Sequence, residues 1–173
     1  LENMTVANAR NIERFAQNSG IAGSEVVKLN KVMMDLDGLS FDAATNVSRT
    51  AASLAKAAGV SSGKVIGDMA SAAEQFAEFS QDGAAGMAEA AVEAAKVGAS
   101  LGTVLGAMEK MLDFENSITK QFEAQVLTGK NLNFEKARQL SLEGKSAEFA
   151  TEIQSIIGQV GDIQAMNVLQ RRS

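Results

Sequence analysis

A short glycine-led pattern occurs three times in the sequence, at residues 19–26, 58–65 and 97–104. In each copy a glycine is followed six residues later by a valine, and the leading glycines are 39 residues apart both times. Residues 40–43 and 80–83 also match, at an offset of 40. A ragged repeat of about 40 residues predicts two helices per unit, and a stacked solenoid of such units is the less favoured interpretation. Its length is typical of HEAT-like arrays, but no HEAT, tetratricopeptide or ankyrin signature is present.

The apolar residues follow helical spacing almost throughout, as in the run Val26, Leu29, Met33 and Leu36. The sequence has no proline to interrupt a helix and no useful run of alternating β-branched residues. Many of the apolar residues are alanine, whose small side chain favours thin helices that pack closely. We therefore predict an all-α fold, an array of antiparallel or extended helices.

The longest single helix is expected around residues 101–127, where no glycine or proline follows Gly106 until Gly129. We divide the chain into a helical repeat region, residues 1–127, and a C-terminal region of short helices, residues 128–173. We also expect the chain to be an internal piece of a longer protein.

Small residues recur every fourth position through the third copy of the pattern. In a helix, residues four apart share one face, so this face would carry almost no side chain and a second helix could approach it closely. The candidate packing residues are Ala90, Ala94, Gly98, Gly102 and Gly106. Two alternatives are open, a helix that runs straight through or a tight turn at each leading glycine. Gly20 and Gly59 are the candidate turn residues.

The composition argues against an enzyme. The sequence contains no cysteine and no histidine, so it lacks a thiolate nucleophile, the usual general base near neutral pH and the commonest metal ligand. Its carboxylates, such as Glu89 with Glu93 and Glu109 with Asp113 and Glu115, are best read as solvated helix faces. We predict no catalytic residues, no cofactor and no metal site.

Two local motifs have a functional and a structural interpretation. Residues 54–65 resemble a DNA-reading helix-turn-helix, but the second helix offers Lys64 as its only base and the chain has a net charge of −5. The glycine face resembles the small-xxx-small motif of membrane helix pairs, but its apolar window, residues 97–108, is only twelve residues long. A structural turn and close packing of soluble helices are the preferred interpretations, with no nucleic-acid partner.

Several short segments carry a resemblance to a known family. They are AAGVS at 57–61, MAS at 69–71, FAEF at 76–79, AAVEAAK at 90–96, LTGKNLN at 127–133, KAR at 136–138 and MNVLQR at 166–171. These segments resemble the tail tape measure proteins of long-tailed bacteriophages, most closely those of contractile-tailed, T4-like phages. The resemblance implies a helical, non-enzymatic protein inside the virion tail that sets tail length during assembly. Its implied partners are the tail tube, the baseplate hub and tail assembly chaperones.

The glycine face would allow association into a homo-oligomer. The resemblance to tape measure proteins implies that membrane contact occurs only during infection. The alternative function is a helical interaction module that acts near a membrane, such as a pore-forming or injected segment.

Overall fold

The computed structural model describes residues 5–79 and 81–161, and 82% of these residues are helical with no strand among them. The all-α prediction is confirmed. In chain order the helices are α1 Val6–Ser19, α2 Gly23–Asp37, α3 Phe41–Ala57, α4 Ser62–Phe79, α5 Gly83–Lys96, α6 Leu101–Leu112, α7 Phe114–Thr128, α8 Glu135–Leu142 and α9 Ser146–Val160. Residues 162–173, the end of the expected C-terminal region, lie outside the described residues.

The helices pack in two layers. Helices α2, α4, α6 and α8 contact one another in that order, and α3, α5 and α9 do the same in the second layer, with α1 at its edge against α3. Consecutive helices cross between the layers, so each repeat unit contributes one helix to each layer. This alternation is the arrangement of stacked helical repeats, in which each unit is covered by its neighbours.

Helix α7 lies outside this alternation. It packs chiefly on α6, and the chain then returns to the array with α8 on α6 and α9 on α5. The core is one continuous cluster that extends from Ile12 to Ile156, so it crosses residue 127 without interruption.

Alanine lets the two layers approach closely. Helix α3 contributes Ala44, Ala51 and Ala55 and helix α5 contributes Ala90 and Ala94 to the fully buried set, all with 0% exposure. The larger side chains of the core come mainly from the other layer, as Leu29, Met33, Ile66, Met69, Leu101 and Leu105.

The expected long helix over residues 101–127 is wrong. Asp113 has non-helical backbone angles, φ −81° and ψ 83°, and separates α6 from α7. Its Oδ1 accepts a hydrogen bond from the backbone N–H of Asn116 over 3.2 Å, which is the N-cap geometry of a new helix. Asp favours this local cap over the middle of a helix because its short side chain competes for backbone N–H groups.

Candidate functional site

The three leading glycines all lie in turns of the same geometry. Gly20, Gly59 and Gly98 have positive φ angles of 64°, 72° and 76° and join α1 to α2, α3 to α4 and α5 to α6. After each glycine, the next backbone N–H returns to a carbonyl five residues earlier. These bonds run from Ile21 to Ala16 over 3.1 Å, from Val60 to Ala55 over 2.9 Å and from Ala99 to Ala94 over 2.9 Å. This is the Schellman motif that ends a helix on a left-handed residue.

The positions on either side of the turns also keep the repeat. The second helix is capped by Ser61 and Ser100 in the later two units, where each Oγ accepts a backbone N–H three residues on, over 3.3 Å and 3.2 Å. The first unit has Ala22 at this position and no side-chain cap. The valines that close the pattern, Val26, Val65 and Val104, are all buried. The helix-turn-helix resemblance of residues 54–65 is therefore one of three equivalent structural turns.

A fourth turn of the same kind lies where the sequence places a glycine after a short helix. Gly144 has φ 69° and joins α8 to α9, and the N–H of Lys145 returns to the carbonyl of Leu140 over 3.0 Å. Its signal in the sequence is a glycine between two short helices, but it lies 46 residues after Gly98 and so falls outside the 39-residue period.

The structure does not bring the five candidate packing residues onto one face. Ala90 and Ala94 are buried in α5, Gly98 lies in the turn, and Gly102 and Gly106 belong to α6. An added Cβ at Gly102 would find its nearest neighbours 3.9 Å away, and at Gly106 nothing within 4 Å. No described helix approaches these two glycines closely, so the predicted bare packing face is wrong. Of the two alternatives, the tight turn at the leading glycine is the one found.

The most exposed large apolar surface in the described residues lies on α7. Phe114, Ile118, Phe122 and Val126, spaced four residues apart, are 46%, 41%, 61% and 82% exposed. We call these four residues the α7 stripe. Their helical spacing can be read from the sequence, but apolar periodicity by itself does not say which side of a helix is covered.

Polar side chains, rather than the α7 stripe, attach α7 to the rest of the molecule. Gln121 Nε2 donates to the carbonyl of Leu132 over 2.7 Å, and its Oε1 accepts from Nη2 of Arg138 over 2.9 Å. Gln125 donates to the same carbonyl of Leu132. Ser117 and Ala124 are the buried residues of this helix. Helix α7 therefore turns Ser117, Gln121 and Ala124 toward the rest of the molecule and leaves the α7 stripe exposed.

A second polar contact joins distant parts of the array. Oδ2 of Asp82, in the segment between α4 and α5, accepts hydrogen bonds from Oγ of Ser146 over 2.9 Å and from the N–H of Ala147 over 3.2 Å. The N–H of Gln81 donates to the carbonyl of Gly144 over 3.0 Å. These bonds satisfy donors at the start of α9 and fix its position beside α5.

Asp68 on α4 lies at the start of α6, as Asp82 lies at the start of α9. Burial raises the pKa of its carboxyl, while Lys64 and the backbone N–H of Leu101, which donates to it, act in the opposite direction. Its Oδ2 is buried without a hydrogen-bond partner among the described residues.

Among the described residues, several of the remaining charged side chains form ion pairs between neighbours. Glu93 pairs with Lys96 over 2.8 Å, and Lys136 pairs with Glu152 over 2.7 Å between α8 and α9. Over residues 5–79 and 81–161 no three acidic side chains converge in a way that could hold a metal ion. None of the helices in that part of the chain has the length and hydropathy needed to cross a bilayer.

No family model matches the chain, and no curated protein or solved structure shows significant similarity to it.

Proposed function

We propose that the chain is a structural and assembly segment of a phage tail tape measure protein, placed inside the virion tail. In this role it contributes to tail length and contacts the tail tube, the baseplate hub and tail assembly chaperones. It acts as a scaffold rather than as an enzyme, and nucleic acid is not among its partners. The choice of this family depends on the sequence resemblance.

The observation that supports a length-related scaffold is the repeated turn. Gly20, Gly59 and Gly98 follow one another at a constant interval and have the same hydrogen-bonded geometry. Each interval adds one helix to each layer, so the extent of the array is proportional to the number of residues. A protein whose length is read out during assembly needs that proportionality.

The chemistry of the chain is consistent with a scaffold. With neither histidine nor cysteine in the sequence, acid–base or nucleophilic catalysis would depend on less common groups. The second helix of the unit at residues 54–65 presents Lys64 together with Asp68, which is a poor surface for phosphate contacts.

The test is an in-frame deletion of residues 40–79 in the gene that encodes this segment, followed by electron microscopy of the tails. The deletion joins Leu39 to Ser80, and Ser80 then takes the place of Ser40 in the matching pattern. A segment that is one extended helix in the tail shortens the tail by about 60 Å at 1.5 Å per residue. A segment that keeps its stacked layers shortens it by about 10 Å, the spacing of packed helices.

The matched control is Gly106→Ala, which changes the same protein without removing length and should leave the tails unchanged. Tails of normal length after the deletion would contradict the proposal. So would the absence of the encoded protein from purified virions.

A further inference from the structure

The α7 stripe is an apolar surface without a cover among the described residues. Its two phenylalanines alone expose about 200 Å² of side chain, since an aromatic side chain offers about 150–250 Å² and Phe114 and Phe122 are 46% and 61% exposed. Leu142, which lines the same pocket as Phe114, adds a further side chain that is 68% exposed. Contiguous apolar surface of this kind marks an interaction site on many monomeric proteins.

We infer that the α7 stripe is a contact between two copies of this chain, paired antiparallel about a twofold axis. Residues at four-residue intervals form a ridge on a helix, and such a ridge packs best into the grooves of another ridge of the same kind, at a crossing angle near −50°. A second copy supplies that ridge. Phe114 and Val126 are equally far from residue 120, as are Ile118 and Phe122, so a twofold axis at this point aligns Phe114 with Val126 and Ile118 with Phe122.

The charges of α7 permit this pairing. Lys120 lies two residues from both Ile118 and Phe122, about 200° around the helix from each, and so faces away from the stripe. It is paired with Glu123 on its own helix over 2.6 Å. Glu115 is the charge beside the stripe, and antiparallel pairing separates its two copies by about 15 Å along the helix axis. Antiparallel pairing also opposes the two helix dipoles favourably.

A lipid surface is a poorer match to the same stripe. Helices that lie on membranes carry lysine and arginine on their polar face, where they attract anionic lipid. The polar side of α7 has Glu115 and Glu123 against Lys120, and the whole chain has a net charge of −5.

The exposed area also sets the strength of the contact. A stable interface buries about 800 Å² per partner, and the α7 stripe is smaller than this. We therefore expect a weak dimer in rapid exchange with monomer, with a dissociation constant on the order of tens of micromolar or higher. This inference does not depend on the proposed function.

Sedimentation equilibrium of the purified chain over about 5 μM to 1 mM tests the pairing. We expect a monomer–dimer equilibrium that Phe122→Ser weakens at least tenfold, while helix content is retained because this side chain is mostly exposed. The matched control is Val6→Ser, which removes a similarly exposed apolar side chain from α1 and should leave the equilibrium unchanged. A monomer at every concentration would overturn the inference. So would a dimer whose dissociation constant is unchanged by Phe122→Ser. Monomeric chain that binds lipid vesicles through Phe122 would overturn it too.

Disulfide trapping tests the antiparallel register, and the absence of native cysteine makes every cross-link attributable. Mixing Ile118→Cys chains with Phe122→Cys chains should give mainly the mixed disulfide, because a disulfide needs Cα atoms about 4.4–6.8 Å apart. A preference for disulfides between two identical variants would contradict the antiparallel arrangement.

Discussion

Oγ of Ser48 on α3 donates a hydrogen bond to Oδ1 of Asn30 on α2 over 3.0 Å, with both side chains buried. Asn30 Nδ2 in turn donates to Oγ1 of Thr45 over 2.8 Å. In the next two units the position of Asn30 is taken by Met69 and Met108, which are also buried. The first unit therefore has a hydrogen-bonded polar group where the later units have methionine.

Replacing Asn30 should destabilise the fold. We expect Asn30→Ala to lower the free energy of unfolding by about 2–3 kcal/mol, because it leaves a cavity and removes the partner of two buried hydroxyls. Ser48→Ala should cost about 1 kcal/mol, since the hydroxyl and its hydrogen bond are lost together. Urea denaturation of the two single variants and the double variant measures the coupling, expected at about 0.5–1 kcal/mol. An Asn30→Ala variant as stable as the wild type would contradict the role given to this cluster.

The sequence predicted the helical class and the period of the turns because glycine has a specific physical use there. A residue with positive φ that ends a helix is almost always glycine, so equally spaced glycines report equally spaced turns. Gly20, Gly59 and Gly98 carried that signal. The same glycine spacing gave the wrong packing face, since Gly98, Gly102 and Gly106 would share a face only if one helix contained all three.

The difference between a glycine in a turn and a glycine within a helix can be measured at Gly59 and Gly106. Gly59 has φ 72° and open space around a hypothetical Cβ, so Gly59→Ala should cost about 1–2 kcal/mol from backbone strain alone. Gly106 lies within α6 with equally open space, so Gly106→Ala should stabilise by up to about 1 kcal/mol through helix propensity. Thermal melts followed by circular dichroism compare the two. Destabilisation by Gly106→Ala would instead indicate a close contact at this face.

The break at Asp113 and the outward face of α7 could not be predicted with the same rules. Helix breaks are usually read from glycine or proline, and the segment from 107 to 128 contains neither. The signal was the Asp113 cap with Asn116 three residues later, which competes locally with helix continuation. Hydrogen bonds from the side chain and backbone of Asn116 also hold the pKa of Asp113 below its ordinary value.

Asp82 should be important for stability although it lies outside any helix. Its Oδ2 accepts from Ser146 and Ala147 at the start of α9, 64 residues further along the chain. We expect Asp82→Ala to lower the free energy of unfolding by about 1–2 kcal/mol, the cost of losing a helix cap. Asp82→Asn keeps a side-chain acceptor and should cost less. Urea denaturation separates the two, and equal stability of the alanine variant and the wild type would contradict the capping role.

Asp68 makes stability depend on pH in the direction opposite to an ordinary paired carboxylate. Burial raises the pKa of its carboxyl in the folded state above its ordinary value. The folded chain therefore binds this proton more tightly than the unfolded chain does. The resulting stabilisation is fully present below the unfolded pKa and is lost as the pH rises through the folded pKa. At neutral pH the ionised carboxylate is a net cost.

Asp68→Asn should consequently raise the melting temperature at pH 7, because it removes the buried charge and keeps an oxygen that accepts the N–H of Leu101. The gain should shrink as the pH falls through the folded pKa and should be lost below the unfolded pKa of about 3.9, where the wild-type carboxyl is protonated in both states. Thermal melts of wild type and variant at pH 7, 5 and 3.5 measure this. Asp42→Asn, in the exposed first turn of α3, is the matched control and should lower stability slightly by weakening a favourable helix-dipole interaction. A lower melting temperature for Asp68→Asn at pH 7 would mean that attraction to Lys64 and the start of α6 outweighs burial.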